Sequence, residues 1–264
     1  MPLKDWDISI NYGIKTGCNE AFIIDGTTKD RLIAEDSKSA EIIRPILRGR
    51  DIKRFGYTFA DQWLIATFPS RQYDIDDYPA VKKYLETFDI RKLAQSGEKD
   101  IDGIKGNNAR KKTNNKWFET QDTIAYWDDF SKQKIIFQEM VQEPSFVLDE
   151  TGLMLCNDTA RIITSSNHSL PALLGVFNSK TFFYAVKTYY AGGGLGSSGV
   201  RMKHTFIMEF PMPPEDAIFD IGLIMNGCNS EPDDNLIERI EDILFKAYDF
   251  SDEERRFISS SFEF

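Results

Sequence analysis

Residues 8–14, Ile-Ser-Ile-Asn-Tyr-Gly-Ile, alternate apolar and polar side chains, the pattern of a strand with one buried face. Ala21-Phe22-Ile23-Ile24-Asp25-Gly26 predicts a second strand ending in a turn, with Thr16-Gly17-Cys18-Asn19 turning between the two. Short helices are expected at 30–34 and at 39–47, the latter interrupted by Pro45. Trp63 to Thr67 reads as a buried strand. Pro79 sits in the first turn of a helix running to about Ala94, in which Val81, Tyr84, Leu85, Phe88 and Leu93 recur at helical spacing. Strands are predicted at 134–137, 145–148, 154–156 and 160–164, with Asp149-Glu150-Thr151-Gly152 as a hairpin turn. Ser169 caps a helix through Phe177 with Leu170, Leu173 and Leu174 on one face, and a second helix spans 180–190. An amphipathic helix follows at about 234–248, and the capping box Ser251-Asp252-Glu253-Glu254 opens a last short one. Strands and helices do not alternate regularly. The expected fold class is α+β, mixed sheets with packed helices and a C-terminal helical tail.

Two stretches lack either period. Residues 96–116 hold almost no apolar side chain, and 191–199 are dominated by glycine. A structureless loop this long inside a domain is usually functional or disordered. The remaining composition is ordinary. A chain of 264 residues makes one large or two small domains and folds without disulfides or metal. The three cysteines are widely spaced and histidines number two, which suggests neither a disulfide framework nor a zinc site. No apolar run is long enough for a transmembrane helix, and the charged start lacks a signal-peptide core, so a cytoplasmic location without a membrane partner is expected.

The net charge of −10 first argues against a nucleic-acid partner. Its distribution reverses that. Residues 1–213 carry 28 basic and 28 acidic side chains, whereas 214–264 carry 4 and 14, so the excess acidity belongs to the tail. A neutral body with local basic clusters can bind a polyanion.

Catalytic patterns are missing. Neither G-x-G-x-x-G after a strand nor a G-x-x-x-x-G-K-S/T loop occurs. Gly194-Leu195-Gly196-Ser197-Ser198-Gly199 only loosely imitates a serine-nucleophile elbow and follows a helix. His168 and His204 are the only imidazoles, and a hydrolase using either has no defensible triad. Asp76-Asp77 and Asp128-Asp129 are adjacent pairs, whose side chains on a strand point to opposite faces. Asp51-Ile52-Lys53 has a nuclease-like D-x-K spacing without a strand pattern. The chain reads as a binder.

Three segments carry the side chains DNA demands: cations for phosphates, and arginine forks and amides for base edges. The stretch 105–116 contributes Lys105, Asn107, Asn108, Arg110, Lys111, Lys112 and Lys116, with no acid; its bland alternative is a disordered surface loop. Leu47 to Arg54 contributes Arg48, Arg50, Lys53 and Arg54, though Arg50 and Asp51 equally suit an ion pair that holds the fold. The third, Gly192 to Lys203, combines glycines for close backbone approach with Arg201 and Lys203; the alternative is a mobile connector.

These segments belong to an ordered set of motifs. Gly13-Ile14-Lys15-Thr16-Gly17-Cys18-Asn19-Glu20-Ala21-Phe22-Ile23-Ile24 and Ile43-Arg44-Pro45-Ile46-Leu47-Arg48-Gly49-Arg50-Asp51-Ile52 come first. Tyr78-Pro79-Ala80-Val81, Ala109-Arg110-Lys111-Lys112-Thr113 with Trp117-Phe118-Glu119-Thr120-Gln121, Leu173-Leu174-Gly175-Val176-Phe177-Asn178-Ser179-Lys180 and Phe210-Pro211-Met212-Pro213 follow. Together they resemble, over about 8–214, the TaqI-like C-terminal specificity domain. That is the target-recognition part of adenine-specific DNA methyltransferases and of fused type IIG restriction-modification enzymes. The resemblance implies a recognition domain at 1–214 followed by an acidic helical tail at 215–264. It implies double-stranded DNA and a methyltransferase catalytic domain, in the same or another chain, as partners. The family's N-P-P-Y/F motif and S-adenosylmethionine loop do not occur here. The chain therefore looks like the recognition half, holding no cofactor itself, with S-adenosylmethionine and methyl transfer to a flipped adenine expected in the methyltransferase half. A protein-interaction module without DNA contact, its acidic tail docking a partner chain, is the alternative reading. On the DNA reading, replacing Arg110, Lys111 and Lys112 together by Ala is expected to weaken binding to all sequences and to flatten its salt dependence.

Overall fold

The computed structural model describes residues 1–190, 199–228, 232–262 and 264. Strand β1 (Ile8–Tyr12) leads into a single helical turn, α1 (Asn19–Phe22), before β2 (Ile23–Asp25). The strand expected across 21–26 is thus shortened. Thr16 Oγ1 accepts from Cys18 N–H and donates to Asn19 Oδ1, which winds the preceding turn into a helical one. Asp25 caps α2 (Gly26–Glu35) by accepting from Thr28 N–H at 2.7 Å.

The helix expected at 39–47 is not formed. A 3-10 turn, Ser37–Glu41, precedes strand β3 (Ile43–Leu47), which pairs with β4 (Gln62–Ile65). Ile43, Ile46 and Leu47 are all buried, and Pro45 lies opposite Trp63 just before the parallel pairing on β3's other edge begins at Ile46. The single helix expected at 79–94 divides into α3 (Pro79–Leu85) and α4 (Ile90–Leu93), because Asp89 caps a fresh start by accepting from Arg91 N–H.

The remaining elements run α5 (Trp127–Phe130), β5 (Lys134–Gln138), β6 (Met140–Val141), β7 (Phe146–Asp149), β8 (Leu155–Cys156), β9 (Ala160–Ser165), α6 (Leu170–Phe177) and α7 (Lys180–Ala185). A π-turn, Val186–Tyr190, continues α7, and β10 (Val200–Arg201), α8 (His204–Ile207), α9 (Glu215–Asn226), α10 (Asp234–Ala247) and α11 (Asp252–Ser260) complete the chain. Of the glycine-rich run singled out in the sequence, 191–199, residues 191–198 lie outside the described residues. Helix α9 carries a periodic face, Ala217, Ile221 and Met225, that the sequence reading passed over.

One antiparallel sheet has the order β1-β9-β5-β7, a second has β2-β4-β3-β8, and β10 pairs with β6 in a short ribbon. The α+β class holds. The turn at 149–152 exists, with Gly152 at φ +67°, but it joins no hairpin: β7 pairs with β5 while β8 crosses to the second sheet.

The first sheet separates two cores. Along β5, Ile136 faces the core shared with the second sheet, with Val147 and Ile162; Ile135 and Phe137 face the other core, with Phe146 and Ile163. That second core also takes in α6, α7 and the tail, through Ile221 and Met225 of α9 and Ile240 and Leu244 of α10. Glu241 of α10 is buried and accepts from the backbone N–H groups of Lys180 and Thr181, capping α7. The acidic tail is therefore packed against the body by its apolar face. Among the described residues, no helix is long and apolar enough to cross a membrane.

Where β5 begins, Lys134 pairs with Asp149 at 2.5 Å, both side chains being buried. Lys134 also donates to the Phe130 carbonyl, and Asp149 accepts from Thr151 and Met154. Burial pushes the Asp149 carboxyl up, but the hydrogen bonds from Lys134 and Thr151 outweigh it and hold the group below its ordinary value. Its contribution is complete at neutral pH and is lost as pH falls below the usual carboxylate range through the lowered folded value. Lys134→Met is expected to cost about 3–5 kcal/mol, since it leaves Asp149 charged and unpaired in the interior. Urea unfolding at neutral pH measures the loss, and the deficit against the parent should shrink toward pH 3, where about half or more of a solvent carboxyl is neutral.

Candidate nucleic-acid interface

The two sheets meet at a tight backbone junction. Gly13 N–H donates to the Ala160 carbonyl, Ile14 bridges Asn157, and Asn157 N–H donates to the Leu47 carbonyl. A Cβ on Gly13 would stand 1.9 Å from the Asn157 carbonyl oxygen, so only glycine allows this approach. Gly49 is held against the same loop: its N–H donates to Thr159 Oγ1 at 2.8 Å, and a Cβ there would lie 2.7 Å from the Thr159 carbonyl oxygen.

The junction shapes a cleft of about 490 Å³ lined by Arg48, Arg50, Gln138, Glu139, Met140, Asn157, Asp158, Thr159 and Arg201. Arg48 forks onto Asp51 at 2.9 and 2.7 Å, and its own N–H donates to the same carboxylate, closing the turn Gly49–Asp51. The fold-holding ion pair is thus Arg48–Asp51, and Arg50 is exposed with no ion-pair partner among the described residues. Burial raises the Asp51 carboxyl, yet the Arg48 hydrogen bonds prevail and keep it low.

Glu139 is the hub. It accepts from Arg201 Nε at 2.6 Å and from Arg161 Nη2 at 2.9 Å. Burial pushes its carboxyl up, and the two arginines more than reverse the effect. Arg161 lies 4.1 Å above the Tyr12 ring, while its buried Nε has no hydrogen-bond partner among the described residues. Pairing of β10 with β6 sets Arg201 beside Met140, which is 56% exposed. Lys203, two residues on, lies over the Phe206 ring.

A strip of polar residues extends this cleft. Lys15 N–H and Asp122 share hydrogen bonds, Asp158 N–H donates to the Ile14 carbonyl, and Asp122 feels the charges of Lys15, Asp158 and Lys111. The segment 96–116 lies at the far end and is ordered. Gly97 N–H donates to the Arg110 carbonyl, Ala109 N–H to Glu98 and Ile101 N–H to Asn107, giving an irregular hairpin anchored by buried Ile101 and Ala109.

Arg110 needs correction. It is not a surface cation: it is 4% exposed, and its guanidinium donates to the carbonyls of Leu93, Thr16, Glu119 and Trp117. Burial presses its pKa down to about 10, which leaves it charged at neutral pH and committed to those oxygens. Its partner Gly17, at φ +78°, has no space for a Cβ beside the Arg110 side chain. Arg54 is likewise turned inward, donating from Nε and Nη2 to the Asn178 carbonyl. Asn107 and Asn108 spend amide groups on Ile101 and Asp100 within the hairpin. Lys53, Lys105, Lys111, Lys112 and Lys116 are exposed. Lys53 borders a neighbouring cleft with Gln138 and Met140, whereas Lys105 lines neither cleft.

The sequence reading missed Gln138, Glu139, Asn157, Thr159 and Arg161. The signal was present as polar side chains at the ends of apolar strands, but their convergence depends on which strands pair.

The sequence profile described as TaqI-like C-terminal specificity domain matches residues 44–211. This chain belongs to that family. Among solved structures, it is similar to the type IIL restriction-modification enzyme MmeI, solved in complex with DNA, with a TM-score of 0.60 and 13% identity over 98% of this chain and 36% of that one. It is similar to the type IIG restriction endonuclease BpuSI with a TM-score of 0.51 and 12% identity, over 94% of this chain and 31% of that one. These are likenesses of fold. The chain spans about a third of the length of either protein. In this specificity domain, the family match begins at Arg44, on the strand that carries Leu47 to the junction, and ends at Pro211, beyond Arg201.

The geometry of Arg110 separates it from its neighbours. Arg110→Ala should destabilise the domain by about 3 kcal/mol or more, because several buried carbonyls lose their donor together, and Arg110→Lys should restore little of it, since an ammonium lacks the planar fork. Lys111→Ala should stay within about 0.5 kcal/mol of the parent. Urea unfolding of the variants distinguishes them, and equal losses at 110 and 111 would contradict the placement.

Proposed function

We propose that this specificity domain reads double-stranded DNA with the cleft at the sheet junction, as the recognition unit of a type IIG or IIL-like restriction-modification enzyme. The observation that carries the reading is the convergence of Arg50 and Arg201 with Gln138, Asn157 and Thr159 around one opening, where Arg48 is held in the wall by Asp51. Arginine forks match the O6 and N7 of guanine, and amides match the N6 and N7 of adenine. Glu139 keeps Arg201 aimed before DNA arrives, and Arg161 holds Glu139 from the buried side. Lys15, Lys111 and Lys112 supply exposed cations along the flanking strip, where backbone contacts fix register without reading sequence. The MmeI structure, a complex with DNA, supports the same direction.

On this reading the domain performs no bond chemistry. Methyl transfer, its S-adenosylmethionine and any cleavage belong to a catalytic unit that this domain orients on the duplex. The packed tail gives no support to the alternative in which its apolar helix docks a partner, because Ile240 and Leu244 are already covered.

Fluorescence anisotropy with duplexes of varied sequence provides the test, on the domain alone and joined to a methyltransferase unit. Arg50→Ala and Arg201→Ala should each reduce affinity for the preferred site by about tenfold or more and blur its discrimination. Lys111→Ala with Lys112→Ala should weaken all sequences alike and reduce the log–log salt slope by about 1.8. Unchanged discrimination in both arginine variants would defeat the assignment of the cleft.

A further inference from the structure

A second concave site shares no lining residue with the basic cleft. It lies between α7 with its π-turn, the Phe210-Pro211 segment, and α11 with the corner before it, and its volume is about 500 Å³. Tyr184 forms one face of an aromatic corner. Tyr189 and Phe257 stand nearly perpendicular to it, at 83° and 85°, with ring centroids 6.1 and 5.8 Å away. Tyr248 and Phe250, stacked at 5.7 Å, supply another wall. Tyr189 and Phe257 are 69% and 57% exposed, a large apolar area for a surface with no function.

The charge around this corner has one sign. Glu253 and Glu254 line it, and among the described residues no lysine or arginine does. Glu254 is engaged in the capping box with Ser251, whereas Glu253 has no hydrogen-bond or ion-pair partner among the described residues. Elsewhere the protein's own cations cover aromatic faces: Arg161 lies over Tyr12, Arg255 over Phe245 and Lys187 over Phe262. Among the described residues, none lies over Tyr184, Tyr189, Tyr248, Phe250 or Phe257. Ring faces carry partial negative charge and attract a cation within about 6 Å. An acid beside several open ring faces is therefore complementary to a cationic group.

We propose that this corner takes an arginine or lysine side chain from a basic segment of a partner polypeptide, with that segment's apolar residues seated on Tyr189 and Phe257. The opening is far larger than one guanidinium, and the wall it takes from the tail carries Glu253 and Glu254, so both carboxylates face a segment longer than a single side chain. DNA is repelled by that acidity. A second copy of this chain, itself at net −10, is disfavoured in the same way. The inference is independent of the DNA reading.

The test uses the full 264-residue chain and two synthetic twelve-residue peptides, one built of Leu and Arg and its counterpart of Leu and Glu. Isothermal titration should show binding of the Leu/Arg peptide alone. Glu253→Gln and Phe257→Leu should each weaken it about three- to tenfold, with thermal melting confirming that both variants remain folded. Phe257→Leu preserves apolar bulk and removes the ring face. Unaltered binding in that variant would overturn the cation-on-ring geometry, and unaltered binding in both would place the peptide elsewhere. Saturable binding of tetramethylammonium without binding of the Leu/Arg peptide would overturn the partner segment in favour of a small-cation site. Self-association abolished by the same substitutions would replace the partner with a second copy. Failure of both probes would refute the site.

Discussion

Strand β5 is buried on both faces, and that single constraint organises the molecule. Its period-two alternation sends Ile136 to one core and Ile135 and Phe137 to the other. A slip of one residue against β9 would exchange every one of these contacts. Register is therefore strongly specified, and the buried Lys134–Asp149 pair marks its start. At the other end the strand runs out into Gln138, Glu139 and Met140, just where β9 brings Arg161 opposite Phe137. The proposed reading head is what the two-core arrangement leaves at its edge.

Arginine illustrates how little a residue's type decides by itself. Arg110, Arg54, Arg48 and Arg50 all come from basic clusters. Arg110 gathers carbonyls inside the hairpin base, Arg54 ties to Asn178, Arg48 closes a turn through Asp51, and Arg50 faces solvent. The fork geometry that suits guanine or phosphate suits converging carbonyls equally well. Which use prevails depends on whether oxygens or water surround the group after folding. The same logic distinguishes the tail: Glu241 turns inward to cap α7, Glu253 and Glu254 stay outside, and Ile240 and Leu244 enter the core.

Much of the fold was legible along the chain. The alternation in β1, the capped helix α6 and the capping box of α11 rest on interactions between residues a few positions apart, and they appear where such local rules place them. Departures occur where distant partners intervene. Residues 43–47 satisfy a helical pattern poorly and a strand well only once β4 and β8 flank them. Residues 149–152 form a turn in either case, but nothing local states that the chain beyond it will leave for another sheet. The hairpin at 96–116 has almost no hydrophobic period, and its order comes from Arg110 and backbone hydrogen bonds.

Hydrophobic periodicity indicated the α+β class, charge counts gave the neutral body with an acidic end, and motif order carried the resemblance to a specificity-domain family. Those properties are sums or successions, and they survive without coordinates. The cleft itself was decided by tertiary structure. Arg48 and Arg201 are far apart in the chain, and Gly13 and Gly49 bring their loops together only because neither has a side chain to hold the backbones apart. Contacts between distant segments depend on pairing and close approach in three dimensions, and a linear pattern carries no term for either.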